Sequence, residues 1–263
     1  MSAHELNDLE QFPDTPGEGW VALLSDIHGN LLALEAVLQD LSAWPVQSVF
    51  CLGDIVGYGP DPGECVRRIR TLAEHTVMGN HEMMMLMLAW RTLSDLGPEL
   101  TPSLRRALDQ LTPEDLEWVS SLPIGVEMES FALIHSSFHQ PAAFHYIQET
   151  HDAAECLRDQ PKPVSFHGHT HVPVIWKQRG AGTICLFPSD KPMQLQPQER
   201  YTINVGSVGQ PRDEDPTAAY CLFHPASLMV LHRRVPYDIP AAQARFRAAG
   251  MREFDALRIA VGD

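Results

Sequence analysis

Seven side chains that can bind metal ions follow apolar, strand-like runs in this 263-residue sequence. They comprise two carboxylates, one amide and four imidazoles: Asp26, Asp54, Asn80, His28, His135, His169 and His171. Because the carboxyl ends of parallel strands meet at one edge of a sheet, we expect these side chains to converge there. Mixed imidazole, carboxylate and amide ligands suit Mn, Fe or Zn, whereas cages of oxygen alone are typical of Ca or Mg. The pattern therefore predicts a transition-metal site.

The number of donors indicates two ions rather than one. Seven donors exceed the four of a closed zinc site and are enough for two ions that share a carboxylate. Two ions about 3.5–4 Å apart can acidify a bridging water to hydroxide and bind both oxygens of an in-line displacement at phosphorus. Two divalent ions, two aspartates and one hydroxide leave a net charge of about +1, which favours an anionic phosphate and which the neutral Asn80 preserves. The donor set thus predicts hydrolysis of a phosphate ester.

Three short apolar runs are predicted to be the strands that position the first of these residues. They are WVALLS (20–25), QSVFCL (47–52) and HTVM (75–78), and each ends in a polar turn. LLALEAVLQDLSAW (31–44), between the first two runs, has leucines at helical spacing. Alternation of strand, polar turn and helix predicts an α/β sheet whose chemistry lies at the carboxyl ends of the strands.

The pattern changes in the second half of the chain. Thr101-Pro102 and Thr112-Pro113 each predict a helix N-cap followed by Pro at the first helical position, with Asp115 at the third position of the second helix. From about residue 124 onward, strand-like runs separated by turn residues predict a second sheet. The C-terminal segment is predicted to be helical, with a break near Gly250.

Five motifs occur in order along the chain: Asp26-x-His28, Gly53-Asp54, Gly79-Asn80-His81-Glu82, His135 and Gly168-His169-Thr170-His171. In type and order they resemble the calcineurin-like metallophosphoesterase superfamily, over about residues 20–236. GDIVGYGPDP and NVGSVGQPRD further resemble a bacterial phosphodiesterase-like branch of it. The resemblance implies an α/β fold, a four-layer αββα sandwich of two mixed β-sheets flanked by helices. We expect a flexible N-terminal arm over residues 1–19 and a single domain over 20–263, with a helical insertion at about 83–121.

The resemblance also implies a role for each site residue. One metal ion would be held by Asp26, His28, Asp54 and His171, and the other by Asp54, Asn80, His135 and His169. The cofactors would be two divalent transition-metal ions, Mn or Fe or both, with Zn as an alternative. His81 would be the catalytic residue that stabilises phosphoryl charge or protonates the leaving alkoxide. Three residues differ from those common in the family, and none of them is a ligand: Glu82 for Asp, Ser136 for Gly and Val205 for Pro.

Tyr58 and Arg212 are the predicted substrate contacts. Tyr58 follows Asp54 in a glycine-rich turn, which its ring could instead stabilise. Arg212 could bind phosphate or form an ion pair with Asp213. GSVG (206–209) lacks the lysine and following helix of a P-loop, so it is predicted to be a turn near the site.

Four methionines follow the polar motif in MGNHEMMMLMLAW (78–90). The run is too uniformly apolar for an exposed amphipathic helix. One interpretation is a helix buried under the helices of residues 100–120. The other is that Met83, Met84 or Met87 forms an adaptable wall for the leaving group, because methionine fills irregular space.

Composition limits the partners and the compartment. The chain has 34 acidic and 19 basic side chains, and the net charge of −15 disfavours non-specific nucleic-acid binding but allows a small nucleotide. Its longest apolar stretch is far shorter than the roughly 20 residues that span a bilayer, and its first residues lack a secretory-signal pattern. Five scattered cysteines without a C-x-x-C pair predict free thiols. We therefore expect a cytoplasmic protein with a small phosphorylated substrate and no membrane partner.

The leading function is a dinuclear metal-dependent phosphoesterase acting on phosphodiesters. A phosphomonoesterase, including a protein Ser/Thr phosphatase, would use the same ligands and stays an alternative. A non-catalytic scaffold of the same fold is disfavoured, because such proteins typically lose ligands or the catalytic histidine. A metallo-β-lactamase-like enzyme needs an H-x-H-x-D-H motif, which is absent, and an amidohydrolase needs an early H-x-H where this chain has Asp26-x-His28.

Overall fold

The computed structural model describes residues 10–11, 19–180 and 182–263. The predicted N-terminal arm, residues 1–19, lies outside them except for Glu10–Gln11 and Gly19. Two mixed β-sheets lie face to face, and helices cover their outer surfaces. This confirms the predicted α/β class and its four-layer αββα arrangement.

Most strands are short and buried. In chain order they are β1 (Glu10–Gln11), β2 (Trp20–Leu24), β3 (Val46–Cys51), β4 (His75–Thr76), β5 (Gly125–Glu127), β6 (Phe131–Ile134), β7 (Val164–His167), β8 (Val174–Arg179), β9 (Gly182–Leu186), β10 (Met193–Gln194), β11 (Tyr201–Asn204), β12 (Ala218–His224) and β13 (Met229–Val235). The first sheet has the order β10-β13-β12-β2-β3-β4, and the second has the order β1-β5-β6-β7-β11-β8-β9. β2, β3 and β4 are parallel neighbours, as are β6, β7 and β11, so each sheet presents several strand ends at one edge.

Alternate residues of the central strands face different layers, because successive side chains of a strand point to opposite faces. Val21 and Leu23 of β2 pack with Phe131 between the two sheets. Ala22 and Leu24 instead face the helices. Burial of both faces explains why β2 is a continuous apolar run rather than an alternating one.

The helices occupy the outer layers. They are α1 (Leu31–Leu41), α2 (Pro62–Leu72), α3 (Asn80–Ala89), α4 (Gly97–Gln110), α5 (Pro113–Ser120), α6 (Thr150–Asp159), α7 (Ile239–Ala248) and α8 (Glu253–Arg258), with a short 3₁₀ helix at Pro141–Ala143. The first five cover the first sheet, and α6 covers the second. The break between α7 and α8 contains Gly250, as predicted. Within the described ranges, no helix has the length and apolar character needed to cross a membrane.

One of the two predicted helix starts is confirmed. The Thr112 hydroxyl accepts the Asp115 N–H at 3.2 Å, and the Asp115 carboxylate accepts the Thr112 N–H at 3.1 Å, which caps α5. The start predicted at Thr101-Pro102 is wrong, because α4 begins before it and holds Pro102 inside the helix. The Thr101 hydroxyl accepts the Leu96 N–H at 2.7 Å and so closes an earlier turn.

The last two strands and one helix also differ from the prediction. β12 and β13 belong to the first sheet, where β12 pairs antiparallel with β2 through Cys221 and Leu23, and not to the predicted second sheet. Both faces of β12 are buried, so its own sequence does not indicate which sheet it joins. α6 is absent from the prediction, because only Ala153, Cys156 and Leu157 mark a helical face in a polar stretch.

The methionine run lies in α3. Met85 and Leu86 are buried in the core between the first sheet and its helices, and Met83 and Met84 are partly buried against the same core. α3 packs on α4, as the buried-helix interpretation predicts. A wall for the leaving group formed by Met83, Met84 or Met87 stays a prediction.

Candidate metal centre

The loops after β2, β3, β4, β6 and β7 bring the seven predicted ligands into one buried cluster. Five of the seven have a left-handed backbone: φ is 53° at Asp26, 49° at His28, 53° at Asp54, 68° at His169 and 61° at His171. Such φ values cost free energy in residues other than glycine, so tertiary contacts must hold them. Strain of this kind is concentrated at functional sites.

Asp26, His28 and His171 form the first ligand group. The Nδ1 atoms of the two imidazoles lie 3.0 Å and 2.5 Å from the carbonyl oxygens of Val56 and Gln210, so each Nδ1 carries the hydrogen. In the neutral rings the two Nε2 atoms are then unprotonated, yet they lie only 3.1 Å apart. Asp26 Oδ1 is 3.3 Å from His171 Nε2 and has no hydrogen-bond partner. Three buried acceptors thus face one point, an arrangement that a cation stabilises.

Asp54, Asn80, His135 and His169 form the second ligand group. His135 Nδ1 donates to the carbonyl oxygen of Leu52 at 2.6 Å, which leaves Nε2 of the neutral ring free of hydrogen. That Nε2 lies 3.0 Å from Asn80 Oδ1, 3.1 Å from His169 Nδ1 and 3.3 Å from Asp54 Oδ2. The four atoms converge as the predicted second ligand set requires.

Asp54 lies between the two groups. Its Oδ2 is 3.3 Å from His135 Nε2 and 3.7 Å from His28 Nε2, whereas its Oδ1 accepts the His81 N–H at 2.9 Å. Oδ2 is therefore the oxygen that faces both groups. A bridging carboxylate takes this position between two ions.

Burial and the aspartates set the charge of the imidazoles. Burial lowers the pKa of His28 and His171, and it lowers the pKa of His169 to about 3, so these rings are neutral near pH 7. Burial alone would also lower the pKa of His135, but the charge of Asp54 raises it to about 9. A proton on His135 Nε2 then lies at the point on which the acceptor atoms of the second group converge, and this is the point where a cation would bind. The cluster therefore attracts positive charge.

Glu82 holds the Asp54 loop in place. Its buried carboxylate accepts the N–H groups of Asp54 at 2.8 Å, Ile55 at 2.8 Å, Val56 at 3.0 Å and Gly79 at 3.0 Å. Burial and the neighbouring Asp54 raise the pKa of Glu82 to about 7, whereas the four N–H donors favour the ionised form. The sequence shows Glu82 only as a change from Asp, because the directions of backbone N–H groups are not visible in it.

His81 lies beside the ligands. Its Nε2 is 3.9 Å from Asp54 Oδ2, and its ring centroid is 4.7 Å from that of His28. A Cβ atom on Gly57, where φ is 92°, would lie 2.1 Å from His81 Nδ1, so glycine makes room for the ring. That Nδ1 has no hydrogen-bond partner, and burial lowers the pKa of the ring. The position fits the predicted catalytic role, although a grouping with His28 and Asp54 also permits a ligand role.

Two tyrosines line the cluster. The Tyr58 ring centroid is 4.8 Å from those of His28 and His81. Tyr146 stacks on His169, with centroids 4.1 Å apart and planes 17° apart. Tyr146 has no counterpart in the sequence prediction, because it lies in the loop between the 3₁₀ helix and α6 rather than at a strand end.

Arg212 lies next to Tyr58 and is not paired with its neighbour Asp213. Its guanidinium carbon is 5.9 Å from the Tyr58 ring centroid, and it donates to Gln210 Oε1 at 2.8 Å. Asp213 instead pairs with Arg234. The structural alternative for Arg212, an ion pair with Asp213, is therefore wrong, and the guanidinium is available to an anion.

The turn at residues 206–209 supports Asp26. The Ser207 hydroxyl and the Gly209 N–H both donate to the Asp26 carbonyl oxygen, at 2.8 Å and 2.9 Å. A Cβ atom on Gly209 would lie 1.7 Å from the Ile27 carbonyl oxygen, which explains the glycine. The turn lies near the site, as predicted.

The chain is similar to known proteins over most of its length. Residues 20–227 match the calcineurin-like phosphoesterase superfamily domain. An uncharacterized protein of Methanocaldococcus jannaschii is 32% identical over 246 residues, which cover 92% of this chain and 98% of that protein. A metallophosphoesterase from Sphaerobacter thermophilus has a crystal structure with a TM-score of 0.83 at 36% identity, covering 94% of this chain and 100% of that one. A symmetrical bis(5'-nucleosyl)-tetraphosphatase from Pectobacterium carotovorum is 34% identical over 109 residues, which cover 39% of this chain and 37% of that protein.

Proposed function

We propose, from the premise that this chain belongs to the calcineurin-like phosphoesterase superfamily, that it hydrolyses phosphate esters with two metal ions. The observation that supports this best is the position of Asp54. Its Oδ2 faces one ligand group on each side, 3.7 Å from His28 Nε2 and 3.3 Å from His135 Nε2. One carboxylate oxygen between two groups of acceptors is what a pair of ions requires.

The proposed ligands fit divalent transition metals. One ion would be held by Asp26, His28, Asp54 and His171, and the other by Asp54, Asn80, His135 and His169. The mixture of imidazole, carboxylate and amide favours Mn or Fe, with Zn as an alternative. Bound there, the ions would supply Lewis acidity at the phosphoryl oxygens and lower the pKa of water. The partnerless Asp26 Oδ1 supports the assignment, because a buried acceptor without a donor is costly.

Three other side chains would bind and orient the phosphoryl group. His81 Nε2, beside Asp54, would hydrogen-bond to a phosphoryl oxygen or donate a proton to the leaving oxygen as the P–O bond breaks. Arg212 supplies a guanidinium and Tyr58 a hydroxyl on the same side of the cluster. Both can donate to non-bridging oxygens.

The proposed substrate is a small, nucleotide-like phosphate ester. The partial similarity to a bis(5'-nucleosyl)-tetraphosphatase supports a nucleotide-like substrate. Phosphodiesters come first, because two ions, two aspartates and one hydroxide leave a charge of only about +1 and His81 can serve an alkoxide leaving group. Arg212 adds positive charge that favours a more highly charged phosphomonoester. A phosphomonoesterase or protein Ser/Thr phosphatase is therefore the second candidate.

Cysteine chemistry supports a reducing compartment. The five cysteines are free, and four of them are buried. Buried free thiols are typical of proteins kept under reducing conditions, and on this basis we propose a cytoplasmic location.

The test compares bis-p-nitrophenyl phosphate with p-nitrophenyl phosphate, with Mn²⁺ present and after removal of metal by a chelator. We expect metal-dependent release of p-nitrophenol, with the higher kcat/KM for the diester. A higher kcat/KM for the monoester would favour the second candidate. If a protein with both ions bound releases no p-nitrophenol from either substrate, the proposed ester hydrolysis is refuted and a non-catalytic scaffold is supported.

A further inference from the structure

His169 differs from the other three histidine ligands in the ring nitrogen that faces the cluster. In those three, Nδ1 donates to a backbone carbonyl oxygen and Nε2 faces the cluster; the carbonyls of Val56, Leu52 and Gln210 accept from His28, His135 and His171 at 3.0, 2.6 and 2.5 Å. In His169 it is Nδ1 that faces the cluster, 3.1 Å from His135 Nε2. Its buried Nε2 has no hydrogen-bond partner in the described part of the chain. His169 therefore lacks the carbonyl contact that orients the other three rings.

The remaining contacts of His169 divide between its main chain and its ring. Its N–H donates to Asp26 Oδ2 at 2.9 Å, which fixes the main chain but leaves the ring free to turn about the Cβ–Cγ bond. The Tyr146 ring covers one face of the imidazole, with centroids 4.1 Å apart and planes 17° apart. At this separation a turned imidazole would collide with the tyrosine. The stack is thus the contact that restrains the plane of the ring.

The loop that carries Tyr146 contacts both histidines of the second ligand group. The Phe144 ring centroid is 6.0 Å from that of His135, and Tyr146 lies two residues further along the chain. Gln140 and Phe144, which flank the 3₁₀ helix, each have a left-handed φ of 51°. Such φ values must be held by tertiary contacts. One loop therefore places an aromatic ring against each histidine of the second group.

The anchor of this loop and the ring that covers His169 are different residues. Ile147 is buried in the core between the second sheet and α6. Tyr146, the preceding residue, is 46% exposed. The tyrosine ring can therefore be removed while the loop keeps its attachment to the core.

We propose that Tyr146 is a positioning residue that holds the His169 ring in the orientation needed to bind the second metal ion. This rests on the proposed function, because the ion belongs to the proposed pair. A metal-bound imidazole usually has its other nitrogen hydrogen-bonded, which fixes the ring, and Tyr146 takes over this task by stacking. His28 and His171 of the first group are oriented by their own carbonyl contacts. Loss of the Tyr146 ring should therefore weaken binding of the second ion and spare the first.

The test measures the affinity of each ion site. Metal-free protein is titrated with Mn²⁺, and the free ion is measured by electron paramagnetic resonance at each step. In Tyr146→Leu we expect one of the two sites to bind Mn²⁺ about tenfold more weakly and the other to change less than about threefold. Tenfold is the lower end of the loss that follows removal of a group that orients a metal-bound histidine, and it is expected because leucine still covers the imidazole without a flat ring.

Three further variants serve as references. Tyr146→Phe keeps the ring and should bind both ions as wild type does, which a role of the hydroxyl would not allow. Phe187→Leu removes an aromatic ring that is 79% exposed in the loop after β9, and it should also match wild type. Asn80→Ala lacks a ligand of the second ion alone, so its remaining site marks the affinity of the first. The unaffected site of Tyr146→Leu should have that affinity.

The outcomes separate the role of Tyr146 from the proposed function. Unchanged affinity of both sites in Tyr146→Leu would overturn the positioning role while the two-ion site stands. Equal weakening of both sites would also overturn it, because a general loss of structure would then be the cause. If the wild type binds fewer than two Mn²⁺ ions per chain, the proposed pair of ions is itself refuted, and the positioning role falls with it. Tyr146→Gln, a second variant without a ring, gives the same readout if Tyr146→Leu aggregates.

Discussion

Replacement of Glu82 by Gln tests how the buried carboxylate supports the candidate site. In the wild type, Oε2 accepts the N–H groups of Asp54 and Gly79, and Oε1 accepts those of Ile55 and Val56. A Gln side chain has nearly the same shape, but one oxygen becomes an NH₂ group that cannot accept. Two of the four bonds are lost, and two buried N–H donors then face another donor.

The expected loss of stability follows from these bonds. Each hydrogen bond to a charged group contributes about 1.5–3 kcal/mol, so the two lost bonds cost about 3–6 kcal/mol. Burial and Asp54 raise the pKa of Glu82 from 4.5 to about 7, and removal of this buried charge returns up to about 3 kcal/mol, so Glu82→Gln should lower the free energy of unfolding by about 1–3 kcal/mol above pH 7. Glu82→Asp keeps the charge and the acceptors but is shorter by one methylene, and it should lose less than the Gln variant. If Glu82 only fills space, the order reverses, because Gln is the closer match in shape. Displacement of Asp54 should also weaken metal binding in Glu82→Gln.

Urea unfolding of the metal-free proteins, followed by circular dichroism, measures these free energies without the stabilisation that bound metal adds. Glu114→Gln is the control, because the Glu114 side chain is 81% exposed in α5. It should stay within about 0.5 kcal/mol of wild type. A loss below about 1 kcal/mol for Glu82→Gln, or a larger loss for Glu82→Asp than for Glu82→Gln, would refute the reasoning.

Three further changes separate catalysis, pH response and packing. His81→Ala should keep both metal ions and lower kcat about 10²- to 10⁴-fold in the p-nitrophenyl assay, and wild-type turnover or a lost ion would contradict the role of His81. The buried His232 ring donates to the carbonyl oxygen of Asn204 at 2.8 Å, and burial lowers the pKa of the ring from 6.5 to about 4. Between pH 6.5 and pH 4 the unfolded chain therefore binds more protons than the folded chain, so the free energy of unfolding falls as the pH falls through this range. His232→Gln should remove at most about 3 kcal/mol of that fall in urea unfolding, and identical pH profiles would show that His232 does not contribute. Met85→Ala, at a fully buried position, should lower the free energy of unfolding by about 2–5 kcal/mol with an unchanged ratio of diester to monoester turnover, and unchanged stability would contradict its place in the core. A changed ratio at unchanged stability in an alanine variant of Met83, Met84 or Met87 would instead favour the wall hypothesis for α3.

The convergence of the candidate ligands could be predicted, because it depends on a simple rule of sheet topology. Asp26, Asp54 and Asn80 follow three apolar runs that become parallel neighbours, and parallel strands place their carboxyl ends at one edge. His135 and His169 follow runs of the same kind in the second sheet. Local sequence was therefore enough to say which side chains meet, although not which atoms face each other.

Other features depend on contacts that the local sequence does not contain. β12 is buried on both faces, so only its pairing with β2 decides its sheet. The Thr101 hydroxyl binds the Leu96 N–H and moves the start of α4 away from the proline pattern. Glu82 accepts hydrogen bonds from backbone N–H groups, and Tyr146 stacks on His169 from an irregular loop. Neither contact produces a periodic pattern of residues in the sequence. These are tertiary contacts, which propensity and spacing do not encode.

Metal content tests the two-ion site most directly. Each protein is reconstituted with Mn²⁺, freed of loosely bound metal on a desalting column, and analysed by plasma mass spectrometry per mole of chain. We expect about two ions in wild type, and about two in Asp159→Ala, whose carboxylate pairs with His139 at 2.7 Å on the surface. Asp54→Ala should hold almost none, because its Oδ2 faces both ligand groups. Two ions retained by a folded Asp54→Ala protein would contradict the bridging role of Asp54.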